Sequence, residues 1–215
     1  MTRSSRGPRA PSIPAKPLLL VLSGPSGAGK DAVLSRLREK GYPLHYTVTA
    51  TTRPQRVGEK EGVDYYFLPA VRFQEMVNGG DLLEWAKVYG HWYGVPREPV
   101  EQALRGGQDV IIKADVQGAK TIRSRHPQAV LIFLTAPTDE ELTVRLRRRH
   151  TESPSDLARR LETAREEMKH LPMFDYVVVN HEDRVDVAVG QIQAIITAEK
   201  CRVNPRVVEP GDVTR

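Results

Sequence analysis

The residues best suited by type and spacing to do chemistry are Gly24 to Lys30, GPSGAGK, followed by Asp31. They fit the G-x-x-x-x-G-K part of a phosphate-binding loop. Glycines let successive backbone N–H groups turn inward, and the start of a helix adds partial positive charge, so such a loop cradles phosphates. Gly24, Pro25, Ser26, Gly27, Ala28, Gly29, Lys30 and Asp31 are therefore the candidate triphosphate-binding residues, with Lys30 reaching the outer phosphates. The position after the lysine normally carries a Ser or Thr hydroxyl for Mg²⁺, and here it is Asp31. A carboxylate is at least as natural a Mg²⁺ ligand. Without the metal it would repel phosphate oxygens by roughly 3–4 kcal/mol at an effective dielectric of about 20. The expectation is triphosphate binding with an unusual dependence on Mg²⁺, and Asp31 as the candidate metal ligand.

The elements around this loop are those it requires. An apolar run, Leu18 to Val21, leads in, and Val33, Leu34 and Leu37 follow at helical spacing. Downstream, Tyr46–Thr52 reads as one β-branched strand, Asp64–Leu68 as a second, and Ala70–Asn78 as a short helix stopped by Gly79-Gly80. Leu82–Tyr89 and His91–Gly94 read as strands around Gly90, so residues 49–95 form a small strand-rich insertion. Helices then start at Pro96, Gln117, Thr138, Ser155 and Val185, separated by the strands Val110–Ala114, Ala129–Leu134 and Tyr176–Val179. This alternation predicts an α/β fold in which a parallel sheet lies between helices. Residues 1–16 are basic, rich in Ser and Pro, and expected to be disordered; residues 201–215 lack a pattern and are expected to form a loose tail.

With 215 residues the chain is long enough for one well-filled domain. Its 40% apolar and 27% charged content is ordinary for a soluble protein. The net charge of +5 owes much to the basic tail and to clustered arginines, so no nucleic-acid partner is expected. One cysteine, Cys201, leaves no intrachain disulfide framework and fits a reducing, cytoplasmic location. No stretch approaches a membrane span, and Pro11, Pro14 and Pro17 interrupt any signal-peptide core.

Three further clusters stand beside the loop: Arg53-Pro-Gln-Arg56 with Tyr65, Leu83-Glu84-Trp85-Ala86 with Trp92-Tyr93-Gly94, and Ala114-Asp115-Val116-Gln117-Gly118. In this order they resemble guanylate kinase, the P-loop kinase family that transfers phosphate from ATP to GMP with Mg²⁺. The resemblance covers about Leu18 to Glu199 and implies a P-loop three-layer fold with a small mixed GMP-binding subdomain and a helical lid at about 143–161. It implies a guanylate kinase-like domain at 17–200, acting as a monomer or homodimer in purine metabolism.

By this resemblance Arg53, Arg56, Tyr65 and Tyr93 bind the GMP phosphate, and Thr49 joins the GMP site. Two guanidinium forks and two phenols suit a phosphate monoester. Glu84 and Asp115 read guanine, whose N1–H and 2-amino donors match an acceptor-only carboxylate. Adenine would set lone pair against lone pair. Arg145, Arg149 and Arg160, with Lys30, are the implied catalytic cations, and Arg147 and Arg148 have no such counterpart. Asn180 matches an asparagine near the adenine pocket, and helix capping accounts for it equally well. His91 and His126 are given no catalytic role. Besides Asp31, the chain departs from the family pattern at Val95, which replaces a guanine-facing Ser or Thr and predicts looser base selection. It departs also at Lys113, which replaces an acidic residue and is the candidate balance for Asp31. Gly-Lys-Asp and Tyr-Gly-Val also resemble ribose 1,5-bisphosphate phosphokinase, a second reading that has no use for base readers. A third is a non-catalytic guanylate kinase-like binding domain, which would lack a working P-loop.

Overall fold

A computed structural model describes residues 16–147 and 154–208, without the side chains of 154–157. The expected disordered tail lies almost wholly outside these residues. The apolar run after Pro17 becomes β1 (Leu19–Ser23), buried at every position, and α1 (Lys30–Glu39) follows the glycine-rich loop. The order continues β2 (His45–Tyr46), β3 (Thr49–Thr51), β4 (Tyr65–Phe67), α2 (Ala70–Gly79), β5 (Leu82–Val88), β6 (His91–Pro96) and α3 (Arg97–Arg105). Then come β7 (Val110–Lys113), α4 (Val116–Arg125), β8 (Val130–Thr135), α5 (Asp139–Arg147), α6 (Pro154–Met168), a 3₁₀ turn (Leu171–Met173), β9 (Tyr176–Val179) and α7 (Val185–Lys200).

Five strands form a parallel sheet in the order β2-β7-β1-β8-β9. Side chains alternate along β1, so its two faces feed two cores. Leu18, Leu20 and Leu22 pack with Val33, Leu34 and Leu37 of α1 and Val189, Ile192 and Ile196 of α7. Leu19 and Val21 pack on the other side with Val100 and Leu104 of α3 and Ala119 and Ile122 of α4. The result is the expected three-layer α/β arrangement. The phosphate loop sits where it must, at the C-terminal end of β1 between β7 and β8.

The second sheet has the order β4-β3-β6-β5 and is mixed: β3 and β4 are parallel, while β6 is antiparallel to β3 and β5. It rests on its own cluster of Ala50, Phe73 and Leu82. Here the structure corrects one reading. Tyr46–Thr52 is not a single strand; His45–Tyr46 closes the edge of the parallel sheet, and Thr49–Thr51 belongs to the small one. Between them, the Thr47 amide and hydroxyl both donate to the Ile111 carbonyl at 3.2 Å, fastening the point where the chain changes sheets. β-Branched residues signal extended backbone but not which strand they pair with.

A second difference lies within residues 201–208, the part of the expected loose tail that is described; 209–215 lie outside the described residues. Arg206 donates to Glu199 at 3.0 Å and to Asp175 at 3.1 Å, and Val208 is buried in the core beneath α3 and α4. No helix among the described residues is long and apolar enough to cross a membrane.

Candidate active site

One half of the site is built by the phosphate loop joining β1 to α1. At Gly24 φ is +132°, and a Cβ there would lie 2.0 Å from the Leu134 carbonyl oxygen, so only glycine lets the loop leave β1 beside β8. Lys30 folds its ammonium onto the loop itself, donating to the carbonyls of Gly24 and of Pro25. Burial holds its pKa below the ordinary lysine value, although the carboxylates of Glu167, Asp31 and Asp115 oppose that shift. Asn180 is neither a helix cap, since Arg184 precedes α7, nor a solvent-facing group. Its amide donates to the Ala28 carbonyl at 2.9 Å, tying the loop to the end of β9. Arg145 in turn donates to the Asn180 carbonyl at 2.7 Å and pairs with Glu141.

A cavity of about 440 Å³ opens from this loop to the small sheet, a volume ordinary for a small-molecule site. On the far side Arg53 is buried, and its guanidinium forks onto Glu59 at 2.7 and 3.0 Å. It lies over the rings of Tyr65 and Phe67. Burial alone would raise the Glu59 carboxyl, but Arg53 and the Arg56 amide outweigh it and hold the pKa below the ordinary value. Tyr65 and Tyr93 meet edge to face with ring centres 6.1 Å apart, and Arg56 is exposed at the rim.

Deeper in, Glu84 of β5 is 4% exposed. Burial, reinforced by Asp115, pushes its carboxyl up to about 8, with Arg125 opposing. Asp115 caps α4, accepting from the Gly118 amide at 2.8 Å, and burial raises its pKa too. Gly118 is what lets α4 approach this closely: a Cβ there would lie 2.5 Å from the Glu84 Oε2. Thr49 lines the same space, and its buried hydroxyl has no partner among the described residues. Val95 does not line the cavity; it is fully buried in the core with Leu83 and Val100.

Lys113, at the end of β7, joins the two halves. Its ammonium donates to Asp31 at 2.6 Å and to the Tyr65 hydroxyl at 2.9 Å. Burial would lower its pKa, but Asp31 and Tyr65 outweigh that and hold it above the ordinary lysine value. Asp31 therefore carries its own counter-charge, which removes the unbalanced repulsion anticipated from the loop sequence alone.

A family model described as guanylate kinase matches residues 16–199. The chain belongs to the guanylate kinase family. It is 45% identical over 208 residues to guanylate kinase 2, chloroplastic/mitochondrial, of Oryza sativa, covering 96% of this chain and 72% of that one. It is 45% identical to a guanylate kinase of Caldanaerobacter subterraneus, covering 90% of this chain and 93% of the relative. A crystal structure of guanylate kinase from Anaplasma phagocytophilum superimposes with a TM-score of 0.72 at 33% identity, over 88% of this chain and 89% of that one.

Most residues that the guanylate kinase resemblance singled out line one cavity: Gly24 to Gly27, Gly29 to Asp31, Thr49, Arg53, Arg56, Tyr65, Glu84, Tyr93, Asp115 and Arg160. Ala28 is instead buried in the core behind the loop. Arg145 does not line the cavity and braces Asn180. Arg149 lies outside the described residues. The cavity also gathers residues that motif reading passed over: Glu59, Tyr89, Arg159 and Glu167. Arg159 and Arg160 lie 5.7 and 4.9 Å from the Tyr89 ring centre, so α6 meets the turn after β5 there. Glu167 is pushed up to about 7 by burial, against the pull of Lys30. Its helical spacing from Arg160 put the two on one face, a signal that was legible but had no motif to attach to.

Proposed function

We propose that this guanylate kinase family member phosphorylates GMP, and dGMP, from ATP with Arg53, Arg56, Tyr65 and Tyr93 on the acceptor phosphate, and Thr49, Glu84 and Asp115 on guanine. The observation that carries this reading is Glu84, a carboxylate buried in the same cavity as the phosphate loop, with Gly118 making room for it. A buried carboxylate with unsatisfied acceptor capacity favours a base that offers two donors on one edge and disfavours adenine. A sugar-phosphate kinase has no use for it, and a non-catalytic binding domain has no use for Lys30 and the phosphate loop.

In the reaction the bond from the γ-phosphorus to the ADP oxygen breaks as an oxygen of the GMP phosphate bonds to it. The backbone amides of Gly27 to Lys30 and the Lys30 ammonium hold the donor phosphates, the ammonium leaving its loop carbonyls to do so. Arg53 exchanges its Glu59 partner for the GMP phosphate or shares it. Arg160, with Arg145 and Arg149 from the lid, supplies positive charge to the transferring group, and closure of that helix against Tyr89 excludes water. Asp31 is the protein carboxylate that would hold a Mg²⁺, which when bound would neutralise charge on the donor phosphates. A cytoplasmic enzyme, monomeric or homodimeric, completes the reading. A coupled ADP-release assay with GMP, AMP, ribose 1,5-bisphosphate and no acceptor tests it. The expected result is turnover with GMP alone above the no-acceptor rate.

A further inference from the structure

Two cations on the acceptor side have carboxylate partners. Arg53 has Glu59 at 2.7 Å, and Lys113 has Asp31 at 2.6 Å. Lys113 also donates to the Tyr65 hydroxyl at 2.9 Å, with its ammonium 4.2 Å from the ring centre. Its side chain is 15% exposed, against 65% for Asp31, so the lysine is the member held within the cavity and the aspartate the member facing water. Both residues depart from the pattern that the family resemblance implied, a hydroxyl at 31 and an acid at 113. The structure brings the two departures together as one ion pair, Lys113 at the end of β7 and Asp31 in the first turn of α1.

We propose that Lys113 is a further substrate-binding residue of this enzyme, contacting the phosphate of GMP beside Tyr65, and that Asp31 is the positioning residue that holds its ammonium there. A hydroxyl that both donates and accepts can receive the Lys113 proton and still donate its own to a phosphate oxygen, so the phosphate enters next to the ammonium without breaking the Tyr65 contact. A phosphate monoester is a near-dianion at neutral pH and rewards a further cation in a site walled from water. The inference rests on the assignment of Arg53 and Tyr65 to that phosphate. It also changes what Asp31 is for: its first duty is to Lys113, and it serves the acceptor as well as the donor.

The test is calorimetric titration of GMP into the full-length protein with a chelator present and no ATP, so that neither metal nor turnover enters the readout. Lys113→Met keeps the apolar stem and removes the charge, and its Kd for GMP is expected to rise about tenfold, the loss of one charge-assisted hydrogen bond. Asp31→Asn is expected to raise Kd about threefold in the parent and to add nothing in the Lys113→Met background, because its proposed effect on GMP runs through the lysine. An unchanged Kd in a Lys113→Met protein that still melts cooperatively overturns the proposal. So does an Asp31→Asn protein whose only change is a higher Mg²⁺ requirement for ATP binding. Arg53→Met is measured alongside: an unchanged Kd there overturns the acceptor-site assignment, independently of what Lys113→Met does.

Discussion

Glu84 illustrates how one side chain couples recognition to protonation. Its carboxyl titrates near 8 in the empty cavity, far above its ordinary value of 4.5. In the proposed role Glu84 accepts from guanine in its ionised form, so below pH 8 GMP binding is expected to expel a proton. The Kd for GMP should therefore fall as pH rises from 6 to 8, by at most tenfold per unit, and level off above. Titrations in buffers of different ionisation enthalpy would register the released proton. The same shift acts on folding with the opposite sign. A group whose folded pKa is raised contributes stability that is complete below 4.5 and lost as pH climbs through about 8. The melting temperature of the empty enzyme should drop over that window, and Glu84→Gln should flatten the drop. The same variant should lose about 100-fold in kcat/KM for GMP while changing little for AMP. Gly118→Ala is a separate probe of the same geometry, since its Cβ would meet Glu84 at 2.5 Å. It should lower the preference for GMP over AMP without altering the Kd for ATP.

Among elements, the end of β9 governs the phosphate loop more than its sequence signal suggested. Asn180 holds the Ala28 carbonyl, and Arg145 of α5 holds Asn180 through its carbonyl. These two hydrogen bonds thus link α5, the end of β9 and the loop. Asn180→Ala leaves the Ala28 carbonyl without its partner and loosens the loop's amides. It should raise the KM for ATP about tenfold and leave the metal-free Kd for GMP unchanged. An equal effect on both substrates would mean that the hydrogen bond supports the whole sheet and not the donor loop. Arg145, by the same geometry, works from behind the loop in the described arrangement, and a direct part in transfer requires it to leave Glu141 and Asn180.

At the scale of the molecule, the chain beyond α7 closes the fold. Arg206 joins Glu199, which is fully buried, to Asp175 at the start of β9, and Val208 plugs the core beneath α3 and α4. Arg206→Met removes one of several partners of each acid, since Glu199 also accepts from the Tyr176 hydroxyl at 2.6 Å and Asp175 pairs with Arg123 at 2.6 Å. The variant should lose about 1–3 kcal/mol in urea unfolding while kcat and KM stay at parental values, because Glu199, Asp175 and Ala129, to which Arg206 donates, do not line the cavity.

The donor loop and the alternation of strand and helix were legible in the residues alone, because both depend on local rules. Glycines at fixed offsets before a lysine, an apolar run and a helical period each declare themselves within twenty residues. The acceptor half was legible only through the resemblance, since Arg53, Tyr65, Glu84 and Asp115 come from separate elements whose meeting no periodicity encodes. What tertiary structure alone decided are pairings across long chain separations. The split of Tyr46–Thr52 between two sheets depended on which strand edges were open. The packing of Arg206 and Val208 depended on an acid and a core gap supplied elsewhere. The sequence offers Lys113 as a balance for Asp31 but does not say whether the two are near. The fold sets Lys113 2.6 Å away, because parallel pairing of β1 and β7 brings the ends of both strands to one rim. Burial gives Lys113 and Glu84 an electrostatic strength that no exposed residue of the same type would have.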